Sequence, residues 1–377
     1  MKKVPKLRFK EFNEEWVEKR LGDIVSIKSG KSPTDLINEN GTIPYFKVEQ
    51  LNNSNKYQIK TPYKILFNEK DIIKKGSIIF PKRGIAILLN KVRIIAQDSF
   101  IDTNLMSLTC DLDVLNEFLY YIILKNNLSK IADTTSIPQI NNKHIEPYIV
   151  IIPNIQEQEK IANFLSSVDK KISLTEEKLN LFKEYKKGIM QKIFSQELRF
   201  KDSNGNSYPN WEEKKIENIF FAKSSSISQS TLENNNGNYA IYGATGKIKN
   251  INFYENKNEY IGIIKDGAGV GRTFLCEKKS SVLGTLNYLE IINDKAYLKF
   301  GYYLLNQIDF SKYIVGSSIP HIYFKDYKNE KINLPCLEEQ KKIADFLSSI
   351  DNKIEKIENE VESLKEFKKG LLQQMFV

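Results

Sequence analysis

Few residues in this chain have the types and spacing that chemistry needs. Gly267-Ala268-Gly269-Val270-Gly271-Arg272 follows a strand-like run, as a phosphate-cradling loop should. Such a loop depends on a helix N-terminus behind it, whose free N–H groups face the anion. Here Arg272 stands where the last glycine of GxGxxG belongs, and Thr273-Phe274-Leu275 continues as strand. A tight turn, or a close approach of backbone to DNA, fits better than a cofactor site. Asp266 with Glu277-Lys278-Lys279 could hold a metal and polarise a phosphate. Acid-x-Lys triplets are common where 27% of residues are charged, and Cys276 follows a strand with no matching acidic frame. His144 and His321 would each need a positioned partner to act as a base. The sequence displays none, so ordinary surface or half-buried histidine is the better reading. There is no GxxxxGK[ST] loop and no Asn-Pro-Pro-aromatic motif of an amino-methyltransferase. No catalytic, cofactor-binding or metal-ligating residue is assigned.

What remains is a polar surface suited to binding. Ser29-Gly30-Lys31-Ser32, Pro81-Lys82-Arg83-Gly84, Tyr242-Gly243-Ala244-Thr245-Gly246-Lys247 and Gly271-Arg272 set basic residues beside glycines, with Tyr45, Tyr63 and Tyr239 nearby. Arg and Lys serve phosphates or guanine edges, and Gln and Asn serve adenine. The candidate DNA contacts are Lys31, Tyr45, Lys82, Arg83, Tyr242, Lys247, Lys265 and Arg272. For any one of them a plain solvated loop tip is the alternative.

These loops need elements to position them. The chain has 377 residues and a mass of 43.7 kDa, enough for two or three domains. At 41% hydrophobic and 11% aromatic residues it can build cores, so a folded chain is expected rather than a disordered one. Three cysteines (Cys110, Cys276, Cys336) without a CxxC pair exclude a zinc ribbon or disulfide scaffold and fit a reducing compartment. No apolar stretch is long enough for a membrane span, and the start MKKVPKLRFKEFNEEW lacks the apolar core of a signal peptide. A cytoplasmic protein is expected.

The chain repeats itself. Pro153–Phe194 aligns with Pro335–Phe376 at a constant offset of 182, and 21 of the 42 positions are identical. Ser136-Ile137-Pro138 matches Ser318-Ile319-Pro320 at the same offset, and Leu7-Arg8-Phe9-Lys10 recurs as Leu198-Arg199-Phe200-Lys201. The only tryptophans, Trp16 and Trp211, follow. This is a tandem duplication with shared ends and dissimilar middles, which suggests two modules of one fold with different surfaces.

The repeated segment reads as a long helix. Ile161, Leu165, Val168, Ile172, Thr175, Leu179, Phe182, Lys186, Ile189 and Ile193 alternate spacings of four and three. The second copy runs Ile343, Leu347, Ile350, Ile354, Ile357, Val361, Leu364, Lys368, Leu371 and Met375. That is a coiled-coil seam, on a rod of about 50 Å at about 1.5 Å per residue. A narrow apolar stripe needs a partner helix, and its own copy is available. Lys186 and Lys368 interrupt both seams at one place, either to fix register or to snorkel from the edge. Gly188 and Gly370 follow, as a kink or a site of close backbone approach. Pro153 and Pro335 precede each helix, and Glu157 and Glu339 suit the first-turn dipole.

The middles, about residues 20–150 and 215–332, hold short β-rich runs (GDIVSIKSG, IPYFKVEQL, GSIIFPKRG, VRIIAQDSF; YAIYGATG, EYIGIIKDGAGVG, RTFLCE, LNYLEII). A helical stretch follows in each, LNEFLYYIILKNNLSKI and LKFGYYLLNQIDFSKYI. The fold class is α+β: two globular β-rich domains in tandem, each followed by a long helix. The expected boundaries are 1–152 and 198–334 for the globular domains, 153–197 and 335–377 for the helices.

The twice-repeated EQ-KIA-FLSS-D-KI helix, each copy behind a module with a GSIIFPKRG- or YAIYGATGKI-type stretch, resembles the specificity (S) subunit of type I restriction-modification systems. The resemblance covers nearly the whole chain. It implies two target-recognition domains reading the halves of an asymmetric bipartite site in double-stranded DNA. It implies that the helices pair as an antiparallel coiled coil and act as a spacer. It implies a non-catalytic chain that binds no cofactor and docks two methyltransferase (M) subunits carrying S-adenosylmethionine, joined by restriction (R) subunits that use ATP and Mg. For helix pairing or subunit docking the candidates are Ile161, Leu165, Val168, Ile172, Phe182, Ile343, Leu347, Ile350, Ile354 and Leu364.

Charge agrees with that division. The net +9 is carried as +6 on residues 1–152 and +3 on 195–334, while the two repeated helices carry +2 and −2. The alternatives are a self-contained DNA nuclease or methyltransferase, and a coiled-coil interaction protein without a DNA role.

Overall fold

The computed structural model describes residues 4–32, 37, 40–66, 69–133, 137–292 and 294–377. Ser136, matched above with Ser318, lies outside them. The chain forms two units, residues 1–176 with 359–377 and residues 177–358. Six helices are named here: α1 (Asn116–Asn126), α2 (Asn142–Ile145), α3 (Ile155–Phe194), α4 (Leu298–Leu305), α5 (Phe324–Tyr327) and α6 (Leu337–Gln374).

The first unit is built on a five-stranded sheet ordered Val25–Ser29, Leu105–Cys110, Ile78–Pro81, Arg93–Ile95, Tyr57–Gln58. Only its last pair is parallel. Ile78-Ile79-Phe80-Pro81 is buried throughout, because Ile78 and Phe80 face the main core while Ile79 faces a smaller one with Phe46, Leu51 and Ile95. A strand covered on both faces reads as a continuous apolar run. A three-stranded sheet (Lys64–Ile65, Ile43–Phe46, Phe100–Ile101) and an antiparallel pair, Val17–Arg20 with Ile149–Ile152, complete it.

The expected helical stretch LNEFLYYIILKNNLSKI is not one helix. α1 stops at Asn126, and Asn127 adopts φ 60° and accepts a hydrogen bond from Ser129 N through its side chain. Asn tolerates this conformation and competes for the backbone, so the chain turns into a 3₁₀ segment. The second unit breaks in the same way, with Asp309 accepting from Ser311 N ahead of Phe310–Tyr313.

The second unit has a four-stranded antiparallel sheet ordered Phe220–Ser224, Leu286–Ile291, Tyr260–Ile264, Thr273–Cys276. Ile261 and Ile263 point into its main core, and Tyr260 and Ile264 into a smaller one. Gly246–Ile251, Tyr239–Gly243 and Ser281–Val282 form a second sheet, and Glu212–Lys215 pairs with Lys331–Leu334.

Both long helices start where their prolines allow. Asn154 caps α3 by accepting a hydrogen bond from Glu157 N at 2.9 Å. The apolar seams are buried inside the units. Ile161, Leu165, Val168 and Ile172 share the first core with Leu371, Met375 and Phe376 from the end of the chain. Ile343, Leu347, Ile350 and Ile354 share the second with Met190 and Ile193. Each core thus takes helix from both repeats. A Cβ at Gly188 or Gly370 would meet nothing within 4 Å, so the close backbone approach expected there is not made inside either unit.

Candidate nucleic-acid interface and helix faces

In the first unit, two candidate loops flank the turn at residues 101–105. Gly30 N donates to Leu105 O and Lys31 N to Ile101 O, both at 3.1 Å, while Lys82 N donates to Asn104 O at 2.8 Å. Gly30 is required there: a Cβ would lie 1.9 Å from the Asp102 carbonyl oxygen. Lys31 is exposed and pairs with Asp71 at 2.6 Å. Burial holds the Lys82 ammonium below its usual value, opposed by the charge of Asp102. Arg83 is exposed, and its guanidinium has no hydrogen-bond or ion-pair partner among the described residues.

Tyr45 is a correction. Expected as a groove contact, it is 2% exposed and packs with Ile65, Ile72 and Phe100. Its hydroxyl donates to Lys31 O at 3.3 Å, so it supports the Lys31 loop from beneath. Burial raises its phenol well above the usual range.

In the second unit, Tyr242 and Lys247 meet at Glu277, at 3.4 and 3.2 Å. Burial pushes the Tyr242 phenol up to about 12. Lys265 pairs with Asp266 at the mouth of the glycine loop, and Arg272 donates to Ala244 O at 3.1 Å. A strand begins at Thr273, so no helix N-terminus stands behind Gly267–Gly271. Glu277 serves Tyr242 and Lys247, and among the described residues no group of three or more His, Cys, Asp or Glu could hold a metal.

The seam candidates are placed by their burial. Ile161, Leu165, Val168, Ile172, Ile343, Leu347, Ile350 and Ile354 are at most 9% exposed inside their own units. Phe182 and Leu364 are partly buried against the same cores. Eight of the ten candidates are thus covered within their own units.

Several paired residues carry no signal in a heptad reading. Arg8 grips Glu157 with two nitrogens at 2.8 and 2.7 Å, and Arg199 grips Glu339 at 3.2 and 2.7 Å. Both glutamates are fully buried. A two-pronged Arg–carboxylate contact of this kind is directional as well as strong. The repeated Leu-Arg-Phe-Lys was the clue to it, since 157 and 339 are also repeat positions. Gln158 accepts from Leu115 N at 3.0 Å, and Gln340 from Tyr297 N at 2.8 Å. Tyr121 donates to Asp169 at 2.6 Å, and Tyr303 to Asp351 at 2.7 Å. Phe376 stacks with Trp16 and Phe118 in one unit, as Phe194 does with Trp211 and Phe300 in the other. The framework is thus duplicated while the loops it carries are not.

Comparison with known proteins gives the same reading. The family model of the type I restriction modification DNA specificity domain matches residues 13–184 and again 208–366. The chain is 28% identical over 408 residues to the type I restriction enzyme MjaVIII specificity subunit of Methanocaldococcus jannaschii, covering 95% of this chain and 91% of that one. It is 23% identical over 387 residues to the putative type I specificity subunit S.MpnORF638P of Mycoplasma pneumoniae, covering 99% of each. The crystal structure of a type I restriction-modification S subunit from M. genitalium shares the fold over 99% of both chains, with a TM-score of 0.67 at 20% identity. The chain belongs to the family of type I restriction-modification DNA specificity subunits.

Proposed function

We propose that this chain is the sequence-reading, non-catalytic subunit of a type I restriction-modification complex. Residues 1–152 and 198–334 act as target-recognition domains, each reading one half of an asymmetric bipartite site in double-stranded DNA. The helices of residues 153–197 and 335–377 set the spacing between half-sites as an antiparallel coiled coil and dock two methyltransferase subunits. Those subunits bring S-adenosylmethionine, and restriction subunits with ATP and Mg join for cleavage in the cytoplasm. Lys31, Lys82, Arg83, Lys247, Lys265 and Arg272 supply phosphate and base contacts. Among the described residues no helix is long and apolar enough to cross a membrane.

One observation carries this reading: the same buried Arg–Glu, Gln–backbone and Tyr–Asp contacts recur in both units, while the loops above them differ in residue type. A duplicated frame with two different surfaces suits a site of two unlike halves. The test is to select DNA from a random duplex library with the chain assembled on its methyltransferase subunits. The expected product is two short motifs at one fixed spacing, with affinity falling steeply with salt. A single uninterrupted motif, or none, overturns the proposal. Methylation or cleavage by the chain alone, with S-adenosylmethionine or Mg, favours a self-contained enzyme.

A further inference from the structure

The two units hold one loop pair in the same way and arm it differently. In the first, the chain leaving Ile78–Pro81 is clamped onto Pro138–Ile140. Ile140 N donates to Lys82 O at 2.8 Å, and Gly84 N to Pro138 O at 2.9 Å. In the second, the chain leaving Tyr260–Ile264 is clamped onto Pro320–Ile322: Ile322 N donates to Lys265 O at 2.9 Å, and Gly267 N to Pro320 O at 2.8 Å. Arg83 faces Gln139 across the first clamp, and Asp266 faces His321 across the second. Gln139 is tied back to Asp133 by a reciprocal backbone pair, and His321 to Val315 by another. Gly84 and Gly267 adopt φ 84° and 86°, and a Cβ at either would meet nothing within 4 Å. The backbone is open on that side.

The side chains on this frame are unlike. Arg83 offers only donors, and Gln139 a donor and an acceptor. Neither side chain has a polar partner among the described residues. Asp266 offers only acceptors and is held by Lys265. His321 has Nδ1 on Ile319 O at 3.1 Å, and its other ring nitrogen has no hydrogen-bond partner among the described residues. A repeated clamp with unrepeated polar tips, Arg83 exposed and Gln139, Asp266 and His321 half-buried, is what direct readout requires, because base contacts need fixed geometry while their identity sets the sequence.

We propose that these two pairs determine specificity: Arg83 with Gln139 for the half-site read by the first unit, Asp266 with His321 for the other. This rests on the DNA-reading function proposed above. Arg83 and Gln139 suit purine edges, guanine O6/N7 and adenine N6/N7. Asp266 suits an exocyclic amino group such as cytosine N4.

The test uses the full chain assembled with methyltransferase subunits, and selection from a random duplex library. Arg83→Ala and Gln139→Ala are expected to relax positions in one half-site only, each by about tenfold or more in preference. Asp266→Asn and His321→Ala relax only the other, and the spacing is unchanged. Gln139→Glu, nearly isosteric, keeps the fold and is expected to lose an adenine preference. Wild-type complex that selects no bipartite motif defeats the DNA-reading function itself. A bipartite wild-type motif that all five variants reproduce unchanged overturns this assignment alone. So does a uniform loss of affinity over all sequences with a salt slope reduced by about 1, which marks a phosphate contact.

Discussion

Lys186 Nζ lies 2.5 Å from an Asp351 carboxylate oxygen in the second unit, and Lys368 stands at the same distance from Asp169 in the first. The four residues are repeat partners, two lysines and two aspartates each 182 positions apart. The lysines that interrupt both seams therefore find a carboxylate on the other repeat's helix. Lys183–Glu358 and Lys365–Glu176, each at 2.6 Å, obey the same rule. Of the two roles open for Lys186 and Lys368, fixing register is the one this geometry supports, because a helix slipped by one turn would separate every pair.

Lys368→Ala is expected to cost about 1–2 kcal/mol, more than an exposed pair, since Lys368 and Asp169 are both about four-fifths covered (20% and 17% exposed). That is roughly 4 °C in the melting temperature. A double-mutant cycle with Asp169→Ala should give a coupling above about 0.5 kcal/mol. Strictly additive effects would show that the two side chains meet without helping each other.

The α+β class, the duplication and the long helices were legible because periodicity and repetition survive without knowledge of packing. Ile161, Leu165, Ile343 and Leu347 were found for that reason. Tyr45 was misread because a strand tyrosine beside basic residues looks the same whether its ring points out or in. The clamps that set Gln139 against Arg83 and His321 against Asp266 join segments more than fifty residues apart, which no local pattern records. Arg8 and Glu157 illustrate the intermediate case: both repeats were visible, and only the fold joined them.

Phe376→Ala is expected to destabilise the first unit by about 3 kcal/mol. The ring is 5% exposed and contacts both Trp16 and Phe118. Phe194→Ala should act in the same direction on the second unit through Trp211 and Phe300, by less because its ring is only partly buried. Urea unfolding followed by tryptophan fluorescence reads both, since each unit holds one tryptophan. A loss below about 0.5 kcal/mol would mean that the terminal segment does not belong to that core.

Stability should depend on pH through Lys56 and Glu117, joined at 2.6 Å. Burial, the largest effect, holds the Lys56 ammonium below its usual value. The unfolded chain then keeps this proton more tightly, so stability rises as pH climbs from the folded value toward about 10.4. For Glu117, burial is opposed and outweighed by hydrogen bonds from Lys56, Tyr57 and Ser166, and its carboxyl lies below the usual range. It stabilises above its unfolded pKa, and that contribution goes as pH falls through the folded one. Lys56→Met should flatten the alkaline rise and Glu117→Gln the acid fall in urea midpoints taken across pH. Curves parallel to wild type for both variants would remove the pair from the pH response.

If the paired helices set the spacer, removing one heptad from each, residues 168–174 and 350–356, should shorten it. Seven residues at about 1.5 Å are about 10 Å of helix, or about three base pairs at 3.4 Å. Three base pairs also turn a half-site by about 100° around the DNA axis, at about 10.5 per turn. A lost heptad turns the helix face by only about 20°. Length and facing therefore cannot both be met, and the deletion variant should prefer a shorter spacer while binding it more weakly than wild type binds its own. Selection from a library with spacers of every length reads both quantities. An unchanged spacer optimum in a folded deletion variant would falsify the ruler, because the helices would then be joining the two domains without measuring the distance between half-sites.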